Sequence, residues 1–113
     1  MGWDAAATHI SEQARRAFEE TAQKVENMGF GPDFQLERGG LDKRLCGYYL
    51  QQATGEGVYD DFGWSPERVQ SLAGDVEWPP LEEMNEKEQS AVVNARAFFE
   101  VCVAFRCGVS FSW

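Results

Sequence analysis

The chain has 113 residues, 43% of them hydrophobic and 13% aromatic, which is enough for one domain with a core of its own and excludes an intrinsically disordered chain. Nineteen acids stand against ten bases, a net charge of −9, and this disfavours direct binding to nucleic acid or to an anionic membrane, since either polyanion would be repelled. Cys46, Cys102 and Cys107 cannot all pair, and the opening "MGWDAAATHI" has neither a basic nor an apolar signal region, so free thiols and a cytoplasmic location are expected (the host cytoplasm, if a phage encodes the chain).

Asp4 or Thr8 is placed to cap a first helix running to about Met28. Ile10, Ala14, Ala17, Phe18, Thr21, Val25 and Met28 recur at three- and four-residue steps, one face of a helix. Gly29 is the expected left-handed stop, and Pro32 prevents resumption. "DFQLER", 33–38, alternates apolar and polar residues as a short strand does, and Gly39 and Gly40 break it. Leu41, Leu45, Tyr48 and Tyr49 mark a second helix that fades before Gly55, with Gly47 as its weak point.

"GEGVYDDFGW", 55–64, reads as a loop rich in aromatics. "SPERVQSLAG" follows with Ser65 as N-cap, Pro66 at the first helical position, Glu67 at the positive dipole end and Gly74 as stop. "DVEWPP", 75–80, is a connector. The last helix starts at Pro80 or at Asn85, where Glu88 completes a capping box, and runs to Arg106 or Cys107 with Gly108 as terminator. Its second half is apolar on nearly every side, so other helices must enclose it; Arg96, Glu100 and Arg106 interrupt it too often for a membrane span. "VSFSW", 109–113, alternates again. The expected fold is therefore mainly α: a single domain over 1–113, about four helices around a central C-terminal helix at 85–107, and a short two-stranded ribbon pairing 33–38 with 109–113.

Catalytic and metal motifs are not found. His9 is the lone histidine, and it lacks an identifiable nucleophile or orienting acid. "GFG" and "GEG" lack the lysine of a phosphate loop, and Glu82 and Glu83, being adjacent on a helix, do not face each other. Cys102 and Cys107, five apart on one helix, would lie about 140° apart around its axis, so a shared metal ion is not expected. No metal, cofactor or catalytic residue is assigned, and the oligomeric state is left open.

Charge carries the functional expectation. Residues 55–90 hold ten acids against only Arg68 and Lys87, net −8, nearly the whole excess of the chain. Asp60, Asp61, Trp64, Glu67, Asp75, Glu77, Trp78, Glu82, Glu83 and Glu86 form the candidate partner-binding face, in which aromatics anchor and carboxylates steer. The expected activity is non-enzymatic: occlusion of a basic, nucleic-acid-handling surface of a partner protein. That is the chemistry of DNA-mimic inhibitors, among them small phage proteins that disarm restriction or CRISPR systems. The alternatives are an immunity protein that neutralises a basic nuclease toxin, and a small-ligand binder or enzyme using the aromatic loop 57–64.

Overall fold

The computed structural model describes residues 2–30, 35–58 and 63–112. The chain opens with a strand where a helix was expected. Asp4–Thr8 forms β1, and α1 spans Glu12–Asn27. Ser11 is the cap, its hydroxyl oxygen accepting from the Ala14 amide at 3.1 Å, in place of Asp4 or Thr8. Alanine prefers helices by only a few tenths of a kcal/mol per residue, and pairing along the whole of β1 overrides that preference. Ala5 and Ala7 face the core opposite Phe111 and Val109, whereas Asp4, Ala6, Ser110 and Ser112 face outward. One face of the sheet is buried and the other is wet, as antiparallel sheets allow. At the other end of α1, Gly29 is left-handed, as expected, with φ +89°.

Among the described residues the strands make one antiparallel sheet in the order β2 (Gly40–Leu41), β1, β4 (Gly108–Ser112), β3 (Gly63–Trp64). The expected ribbon between 33–38 and 109–113 is therefore not the pairing that forms. Asp33, Phe34 and Trp113 lie outside the described residues, Gln35 is left-handed, and Leu36–Arg38 is a single 3₁₀ turn that buries Leu36 alone. Two apolar residues two apart fit such a turn as well as a strand. β4 is a strand, as its alternation indicates, but its partners come from the start and the middle of the chain.

The third and fourth helices start where the sequence places them, whereas the second begins later than expected, because Leu41, the first of its expected apolar positions, is paired with Ala5 in β2. α2 spans Arg44–Thr54, α3 spans Pro66–Ala73 behind the Ser65 cap, and α4 spans Glu86–Ala104 behind a complete Asn85–Glu88 capping box. Gly47 sits inside α2 because the buried Trp3 indole lies against it: a Cβ there would be 2.9 Å from the ring carbons. The Trp3 N–H in turn donates to the Val58 carbonyl at 3.1 Å.

α4 ends at Ala104, before the expected terminator Gly108, which is instead the first residue of β4. α4 packs on α1, α2, α3 and β2 and buries Phe98, Phe99 and Cys102, so it is the spine of the domain, as its all-round apolar second half requires. Among the described residues, four helices and a four-stranded antiparallel sheet stand where a mainly helical bundle with a two-stranded ribbon was expected. No helix among the described residues is long and apolar enough to cross a membrane.

Candidate functional site

The acidic candidates do not converge on a point; they form a stripe. After α3 the connector runs back along α4. The Glu77 amide donates to the Ala53 carbonyl at 3.0 Å, and the Trp78 ring packs edge-on against Phe99 with centroids 6.2 Å apart. At the start of α4 the Gln89 amide donates to the carbonyls of Leu81 and Met84 at 3.0 and 3.1 Å. Val76, Leu81 and Met84 are half-buried beneath. The connector is thus pinned at both ends, with Asp75, Glu77, Glu82 and Glu83 left exposed, and Glu86 joins them on the first turn of α4. From the level of Phe99 to Glu86 this run extends about 20 Å at 1.5 Å per residue. Glu67 lies beyond the Phe99 end, a turn before Gln70, whose amide donates to the Val103 carbonyl at 2.7 Å.

Two sequence candidates behave otherwise. Trp64 is only 5% exposed, its ring edge-on to Phe111 and Phe99, so it belongs to the core and reaches a partner only through the fold. Asp60 and Asp61, with half of the aromatic loop 57–64, lie outside the described residues.

Charge in the stripe is uncompensated. Arg68 is taken up by an ion pair with Glu56, and Glu88 is occupied by the capping box and by the Tyr49 hydroxyl, which donates to it at 3.1 Å. Glu67, Asp75, Glu77, Glu82, Glu83 and Glu86 make no ion pair among the described residues; Lys87 is the region's other cation. Beside them an open groove of about 360 Å³ is lined by Gln52, Glu77, Trp78, Pro79 and Pro80. Trp78 is half-buried, held from behind by Phe99.

The thiols depart from expectation. Cys102 and Cys107 do not share a helix, because α4 has stopped between them. Arg106 turns left-handed at φ 55°, and the Cys107 amide donates to the Cys102 carbonyl at 2.9 Å, the six-to-one bond of a Schellman ending. That ending brings its third-last helical residue against the second residue beyond the cap, and here both are buried cysteines. The hydrogen bond from the Cys102 thiol lowers Cys107 to about 7 against the opposing effect of burial, and raises Cys102 well above the ordinary thiol range. Burial pushes Cys46 strongly up. Among the described residues no three His, Cys, Asp or Glu side chains are grouped to hold a metal ion. His9 is exposed, with Nδ1 2.9 Å from the Thr8 hydroxyl.

Trp78 and most of the stripe were legible as acids and aromatics on a connector. The thiol pair was not, since its proximity depends on where one helix stops. Compared with protein-family models, with curated proteins and with solved structures, the chain finds no match. The functional reading therefore rests on the stripe itself.

Proposed function

We propose that the acidic stripe docks on a basic, nucleic-acid-handling surface of another protein and occludes it, so that the chain acts as a non-enzymatic inhibitor of the DNA-mimic kind. The observation that carries this reading is the spacing of charge. Six carboxylates from Glu67 to Glu86, without an ion pair among the described residues, are distributed over about 26 Å measured along α4. Six charges leave five intervals of roughly 5 Å each, the same order as the ~3.4 Å of helix axis per phosphate along one strand of a duplex. The Trp78 groove adds an anchor: an arginine side chain laid across the ring gains a cation–π contact, with Glu77 as its counter-ion. Because the connector is hydrogen-bonded at both ends, the carboxylates need little ordering on binding.

Affinity capture from host lysate, eluted by salt and competed with a single-stranded oligonucleotide, tests the reading. The expected partner elutes at high salt, is displaced by the oligonucleotide, and is lost when Glu77, Glu82 and Glu83 are changed to lysine, chiefly through a slower association rate. A partner retained undiminished by that triple variant would mean the stripe is a solvated surface. A nuclease toxin as the captured partner would make the same surface that of an immunity protein.

A further inference from the structure

We infer that a second site, between α1 and the 3₁₀ turn, binds a small aliphatic zwitterion of the size of a free α-amino acid. A cavity of about 270 Å³ opens there, just under the ~300 Å³ at which drug-sized pockets begin. Its floor is apolar. The buried Phe18 ring and Gly39 form the base, and Ile10, still 36% exposed, overhangs it. The turn lies so close that a Cβ on Gly39 would meet Ile10 Cδ1 at 3.2 Å and Phe18 at 3.3 Å.

The rim carries two cations and two anions: Arg15 and Glu19 from one turn of α1, Glu37 and Arg38 from the 3₁₀ turn. None of the four is in an ion pair among the described residues. Arg15 and Glu19 stand in the less favourable order for an i,i+4 pair, which leaves both groups available. Half of the charges on such a rim repel a simple ion of either sign, whereas a ligand bearing both an ammonium and a carboxylate can satisfy both pairs. Its aliphatic side chain then covers Phe18 and Ile10.

An independent observation marks the same place. His9 and Gln35, non-glycine residues in left-handed backbone at φ 57° and 59°, precede Ile10 and the 3₁₀ turn, the segments that supply the cavity wall. Strain of this kind concentrates at ligand sites, where the fold holds it in place.

An amide NMR titration of the full chain with L-leucine, N-acetyl-L-leucine and L-leucinamide tests the assignment. L-leucine is expected to shift Ile10, Phe18 and Gly39 saturably with a Kd of about 1 mM or tighter, and each blocked compound to bind at least about tenfold more weakly. Arg38→Gln, at an exposed position and so harmless to the fold, should weaken L-leucine about tenfold. No saturable shift at these amides by about 10 mM, or equal binding of a blocked compound, overturns the site.

Discussion

Arg106 occupies the position after a helix cap that glycine usually takes. Its φ of 55° places Cβ close to the following carbonyl, a conformation that costs an L-residue about 1–2 kcal/mol. The Schellman bond that it permits is what brings Cys107 back onto Cys102 and launches β4. Arg106→Gly relieves the strain at some entropic cost in the unfolded chain, so the net expectation is a gain of about 0.5–1 kcal/mol, read as a higher urea midpoint at unchanged slope. A lower midpoint would mean that the arginine side chain makes a contribution larger than the strain. Gly47 shows the opposite logic. It breaks the rule against helical glycine because the Trp3 indole occupies the space that a side chain would need.

At the scale of elements, α2 and α4 are joined near the surface by the Tyr49–Glu88 hydrogen bond, 39 residues apart in sequence. Burial, then the hydrogen bond to the Glu88 carboxylate, raises the Tyr49 phenol above its ordinary value of 10.0. A raised folded value favours the protonated form. Its contribution is therefore fully present below about pH 10 and is lost as pH rises through the folded value. Unfolding midpoints measured from about pH 8 to 11 should fall more steeply for the wild type than for Tyr49→Phe, and parallel curves would count against the coupling. Helices whose signals are local were legible: Ser65–Pro66, Asn85 with Glu88, and the apolar run in α4 all mark what forms. β1 was not, because "DAAAT" carries helix propensity and becomes a strand only through a partner more than a hundred residues away. The thiol pair was hidden for a local reason, since it forms only because α4 stops at Ala104, whereas the acidic stripe showed through because charge is read directly from residue type.

The whole molecule measures 33 × 30 × 28 Å and carries a net charge of −9. At about 0.01 M ionic strength the Debye length of roughly 30 Å spans it, so every carboxylate feels the others; at about 0.15 M the length is roughly 8 Å and mainly neighbours interact. Tm is thus expected to rise between these two sodium chloride concentrations, and a fall would show that attractive surface pairs outweigh the net repulsion. The position of β4 has a consequence for synthesis. It is an inner strand of the sheet, bonded to β1 on one side and β3 on the other, yet it lies at 108–112. While a ribosome extends the chain at about 5–20 residues per second, the helices can begin to form, but β1 and β3 keep open edges until the strand between them emerges. A nascent chain halted short of residue 108 would hold every helix and still lack the strand that joins β1 to β3, which makes that interval the one in which this protein most needs a chaperone.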